Sequence, residues 1–129
     1  MITGDKFQHD FTVSDEVYTG FLDTFHDHNP LHTNKEFAVS KGFQDRVMHG
    51  NILNGFLSYF IGQLLPSEDV IIMQQDIRFH LPVYLNDVLS FSAVIVGVYE
   101  SVGGVEFKFD FTNTGGKKVA KGKILIGTI

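Results

Sequence analysis

The sequence predicts an α+β domain in which a curved antiparallel sheet wraps one long apolar helix. Three observations predict it. Capping signals and helical spacing crowd the first half of the 129-residue chain, and period-two alternation dominates the second. The segment from Gly50 to Leu64 carries no charge and is apolar nearly all round, so other elements must surround it. Gly103-Gly104 and Asn113-Thr114-Gly115-Gly116 are tight-turn sequences between alternating runs, which makes those runs antiparallel hairpins.

Each element follows from local chemistry. Phe7 to Val13 reads as an opening strand. Ser14 followed by Asp15 and Glu16 starts a helix, with acids at the positive end of its dipole. Val17, Phe21 and Phe25 then repeat at helical spacing, and Pro30 ends this helix near Asp27 or His28. Thr33-Asn34-Lys35-Glu36 fits a capping box with Thr33 as the cap, and Gly42 closes the short helix it begins. The apolar helix runs from Gly50 to Leu64. Four strands follow: Val70 to Phe79, Val88 to Tyr99, the alternating Val105 to Thr112, and a last one through Ala120, Gly122, Ile124 and Ile126. No linker or repeat divides the chain, so residues 1–129 are expected to form a single domain. A sheet of so few strands leaves an edge free, and pairing of edges predicts a homodimer or a higher even oligomer.

Composition excludes several function classes. Apolar residues are 43% of the chain and charged residues 19%, the balance of a globular protein. There is no cysteine, hence no disulfide, no thiolate nucleophile and no Cys-based metal centre. The net charge of −5 argues against binding nucleic acid through its phosphates. The sign is uneven, however. Eleven of the fifteen acids lie at or before Asp76, and six of the ten bases lie at or after Arg78, so a phosphate-bearing ligand would have to use the second half. Neither a signal peptide nor a run of roughly 20 apolar residues is visible, which predicts a cytoplasmic protein without a membrane partner.

Six histidines remain as candidate chemistry, and three fall within Phe25-His26-Asp27-His28-Asn29-Pro30-Leu31-His32. The Asn-Pro turn folds this interhelical segment so that Asp27 and His32 face one cavity. A carboxylate and an imidazole placed so can hold a water and exchange protons with it near neutral pH. Zinc binding by His26, Asp27, His28 and His32 is opposed by their spacing, because side chains two apart on a helix end diverge.

Asp27-His28-Asn29-Pro30-Leu31-His32 followed by Ala38, Gly42-Phe43, Val47-Met48-His49-Gly50, Arg78-Phe79 and Pro82-Val83 resembles, in order, the hydratase 2 motif of the R-specific enoyl-CoA hydratases, or MaoC-like dehydratases. The resemblance spans nearly the whole chain. It implies the hot dog fold and reversible hydration of a trans-2-enoyl thioester, carried by coenzyme A or a carrier protein, to the (R)-3-hydroxyacyl product. It implies no cofactor and no metal. Asp27 and His32 match the pair that activates the catalytic water. Gly50 matches the glycine whose N–H polarises the thioester carbonyl, a role suited to the start of a helix. Asn29 shapes the turn, and His49, Phe56 and Arg78 are candidate substrate contacts: His49 at the helix start, Phe56 in an acyl tunnel with Phe60, Arg78 on a phosphate. In place of the family's usual small residue and glycine, this chain has Phe25-His26, which narrows the pocket, turns Asp27, or shows that the glycine is dispensable. Thioester hydrolysis and non-catalytic acyl binding are the alternative readings of the same fold.

Overall fold

A computed structural model describes residues 1–129. The chain runs through strand β1 (Lys6–Thr12), helices α1 (Asp15–Phe25), α2 (Pro30–Thr33), α3 (Lys35–Ser40) and α4 (Ile52–Tyr59), and strands β2 (Val70–Phe79), β3 (Val88–Tyr99), β4 (Gly104–Thr112) and β5 (Lys118–Thr128). A π-helical turn over Phe60–Leu64 extends α4. The strands form one antiparallel sheet in the order β1-β3-β4-β5-β2. This sheet curls around α4, the hot dog arrangement implied above.

Register explains why the sheet can enclose a helix. One cross-strand row on the inner face contains His9, Phe91, Phe111, Ala120 and Phe79, and the next contains Phe7, Ala93, Phe109, Gly122 and Ile77. Phe91, Phe107 and Phe111 are fully buried, and they meet Phe60, Leu53 and Leu57 of the helix in one core. Edge-on aromatic pairs such as Phe60–Phe107, with ring centroids 5.4 Å apart, fix how the helix sits. Gly122 is where neighbouring groups leave least room for a side chain. A side chain there would run into the Asp76 carbonyl and the Phe109 ring.

Three local expectations are corrected. The cap of α3 is Asn34, not Thr33: the Asn34 side chain accepts from the Phe37 N–H at 3.0 Å, while Thr33 closes α2 and donates back to the carbonyls of His28 and Asn29. The apolar helix begins at Ile52 rather than Gly50. The carbonyls of His49 and Gly50 accept from Ile52 and Leu53 at 3.1 and 3.0 Å, so these two residues form a tight turn ahead of the helix. Nor is that helix surrounded within one chain. Asn51, Gly55, Ser58 and Gly62 form a small-residue stripe that stays exposed.

Helix α1 begins as expected, with Ser14 Oγ accepting from the Val17 N–H at 3.2 Å. It ends on His26, which adopts the left-handed conformation (φ 60°, ψ 27°) and donates its N–H to the Leu22 carbonyl at 2.9 Å. That backbone favours glycine. Here a histidine holds that backbone, at a cost in strain. A His26→Gly protein should be more stable by about 1 kcal/mol, read as a higher urea midpoint with an unchanged slope.

Candidate active site

Asp27 follows directly on the left-handed turn, half exposed, at the C-terminal end of α1. Its Oδ1 accepts from the Asn29 N–H at 3.2 Å. Asn29 is committed in turn, because its Oδ1 caps the Leu31 N–H at 2.9 Å and Pro30 occupies the first helical position of α2. One turn of α2 then brings His32 back toward Asp27. The Asn-Pro turn thus acts as expected, and Asn29 shapes the loop.

His32 is held from two sides. Its Nδ1–H donates to the Val47 carbonyl at 2.7 Å, and its own carbonyl accepts from the Tyr18 hydroxyl at 2.7 Å. Tyr18 is buried, with the Arg46 guanidinium over its ring at 5.1 Å. A carbonyl can only accept, so the bond to Val47 settles the tautomer. In the neutral imidazole this places the proton on Nδ1 and leaves Nε2 as the acceptor. That Nε2 lies 3.6 Å from Asp27 Oδ2. A water molecule set beside the pair has two O–H bonds, one for each of these atoms.

His49 completes the cluster from behind. It is 3% exposed and packs against His32 with ring centroids 4.0 Å apart. Its Nε2–H donates to the backbone carbonyl of Asp27 at 2.9 Å, and its Nδ1 has no hydrogen-bond partner. Expected as a substrate contact, His49 instead clamps the Asp27 turn against the start of α4. Asp27, His32 and His49 each offer a metal-ligating atom within 4.8 Å of the others. The two imidazole rings are tilted 33° to one another, and His49 Nε2 is already engaged by the Asp27 carbonyl. His26 and His28 stay outside the cluster, on the surface.

Gly50 follows His49, one residue before the N-cap of α4. No backbone carbonyl takes its N–H. The segment leading to it is tied on both sides, since Val47 N–H donates to Leu31 at 3.0 Å and Met48 N–H to Val83 at 2.8 Å. A cavity of about 910 Å³ opens beside the pair between α1 and α4. Its walls are Val17, Phe21, Phe25, Ile52 and Phe56, with Gly20 and Gly55 leaving space and Asp27 at the rim. Phe56 and Asp27 both line this cavity, whereas Phe60 is fully buried in the core.

Arg78 is not brought here. Strand pleating sends Phe79 to the inner face and Arg78 to the outer one, where it borders a second cavity with Lys108, Lys118, Lys121, Lys123, Asp76 and Asp110. Sequence reasoning missed Tyr18 and the Val47 carbonyl. Tyr18 shares the spacing of an ordinary core residue, and a backbone acceptor leaves no mark in a sequence.

A five-stranded antiparallel sheet on one helix, with a carboxylate–imidazole pair at that helix's start, defines a hot dog domain with an acid–base site. Residues 3–113 match the model of the MaoC like domain, and the chain belongs to that family. It is 29% identical over 115 residues to an (R)-specific enoyl-CoA hydratase of Rhodospirillum rubrum, covering 89% of this chain and 79% of that protein. A second (R)-specific enoyl-CoA hydratase, from Aeromonas caviae, is 32% identical over 74 residues, which are 57% of this chain and 55% of the relative. The solved (R)-hydratase from A. caviae superposes with a TM-score of 0.91 at 23% identity, over 100% of this chain and 98% of that one, and shares its fold.

Proposed function

We propose that the chain adds water reversibly across the double bond of a trans-2-enoyl thioester, giving the (R)-3-hydroxyacyl thioester. The observation that carries this reading is the 3.6 Å approach of His32 Nε2 to Asp27 Oδ2, with Asp27 also lining a cavity that has five apolar side chains in its wall. The pair holds one water. As its oxygen bonds to C3 of the substrate, the pair removes a proton and the π electrons move onto the thioester oxygen. The N–H of Gly50 stabilises that enolate oxygen. The proton then passes from the pair to C2, and the site returns to its starting state. The apolar cavity takes the acyl chain, and the thiol portion belongs to coenzyme A or a carrier protein. The names of the relatives support the reaction and its stereochemistry.

One assay separates this reading from thioester hydrolysis. With crotonyl-CoA, a hydratase removes the absorbance of the conjugated enoyl bond and releases no thiol. Thiol released at the rate of absorbance loss would overturn the assignment, as would tight binding without turnover across C4 to C16 substrates.

The same reading extends to assembly as a homodimer in the cytoplasm. Edge strand β2 exposes Ile71 and Met73, at 50% and 65%, and the small-residue stripe of α4 lies open. Both features suit a second copy of the chain. No helix is long and apolar enough to cross a membrane. An Ile71→Lys/Met73→Lys protein should run at half the mass of the unsubstituted protein in sedimentation equilibrium. An unchanged mass would place the contact elsewhere.

A further inference from the structure

We propose that Phe79 is the positioning residue of the oxyanion site: its ring is the apolar floor that holds the enoyl thioester against the Gly50 N–H. The proposal rests on the hydratase reading and names a residue which that reading does not use.

Phe79 is out of place as a core residue. The members of its cross-strand row on the central strands, Phe91, Phe111 and Ala120, are all fully buried, yet Phe79 is 51% exposed and stands outside the core. Folding alone does not account for a large apolar ring left half in solvent. What the ring touches is Gly50. A Cβ added to Gly50 would lie 3.1 Å from Phe79 Cε1 and 3.2 Å from Cζ, closer than side chains normally approach. The ring therefore occupies the space that any other residue at position 50 would need. The ring covers the Cβ side of Gly50, and the exposed side of the ring offers a flat apolar surface next to that residue. An enoyl thioester is planar and conjugated, so it gains contact area by lying on such a surface with its oxygen toward the N–H.

The ring is fixed relative to the donor through the backbone. Just past Phe79, the N–H groups of His80 and Leu81 donate to the Val119 carbonyl at 2.8 and 3.2 Å. Four residues on from Phe79, the Val83 carbonyl accepts from Met48 at 2.8 Å, two residues before Gly50. The end of β2 and the entry to α4 are thus held together, and the ring keeps its distance from the donor.

A double-substitution cycle tests the proposal. Phe79→Ala should lower kcat about 10-fold or more, with a smaller change in KM, and Phe79→Leu should recover most of the loss. Gly50→Ala should lower kcat on the order of 100-fold in the unsubstituted background. In the Phe79→Ala background it should cost only a few-fold, because its methyl group then has room. Melting temperature and oligomeric mass of each protein are measured alongside, and both should stay close to those of the parent. Losses that multiply independently, an unchanged kcat in Phe79→Ala, or a loss that tracks a change in mass or melting would each overturn the role of Phe79. An unsubstituted protein that turns over no enoyl thioester would overturn the hydratase reading, and this proposal with it.

Discussion

An Asp27→Asn protein should fold like its parent and hydrate crotonyl-CoA on the order of 10²–10⁴ times more slowly. Asparagine keeps the size of aspartate and an oxygen able to accept from the Asn29 N–H, a bond of 3.2 Å in the parent. The backbone carbonyl that receives the His49 N–H is untouched. What disappears is the negative charge opposite His32 Nε2 and the ability to take or return a proton. A His32→Gln protein should lose rate over the same range. It should also melt earlier, because the 2.7 Å bond to the Val47 carbonyl, worth about 1 kcal/mol, is lost or weakened. The double variant should be little slower than either single one, since the two groups act on one water. Wild-type rates in a folded Asp27→Asn protein would sink the assignment.

The largest effect on stability is expected from Gly122→Ala. Gly122 lies on β5 between Phe109 of β4 and Ile77 of β2, on the concave face. A methyl group there meets the Asp76 backbone carbonyl and the Phe109 ring, 2.9 Å from Cζ. The ring could turn, but Asp76 is held in the β2–β5 ladder, and moving its carbonyl opens the edge of the sheet. Overpacking of this kind costs about 1–3 kcal/mol, and the backbone contact puts this case at the upper end. The melting temperature should fall by several degrees, on the order of 10 °C. A fall of no more than a degree would show that the curl of β5 does not depend on this close approach.

How much of this was readable beforehand differs by element. Alternation at Phe107, Phe109 and Phe111 announced β4 plainly, because a half-buried strand writes its two faces into consecutive residues. The pair Asp27 and His32 was readable because both lie on one short turn whose shape Asn29 and Pro30 dictate. The α3 cap was misplaced by one residue, since Thr33 and Asn34 are both good caps and only the preceding turn of α2 decides between them. The start of α4 was misplaced because His49 and Gly50 already take part in turn hydrogen bonds. Arg78 and Phe79 were both visible as residues, but which one faces the site is a question of strand register. A slip of one would exchange them. The hold of Tyr18 on the His32 carbonyl, and of Val47 on its ring, joins residues 14 and 15 positions apart through backbone atoms, which no side-chain pattern encodes.

The outer face of the sheet gives the molecule an electrical orientation. Lys108 and Lys123 stand directly opposite each other on neighbouring strands, and Arg78, Lys118 and Lys121 border the same hollow. With Asp76 and Asp110 beside these five bases the hollow is net +3, so the rest of the chain, whose total is −5, carries −8. Such a protein carries a permanent dipole. In dilute salt it turns as it diffuses toward a charged body, presenting the hollow of the sheet to anions, and 0.15 M salt confines this steering to separations below about 8 Å.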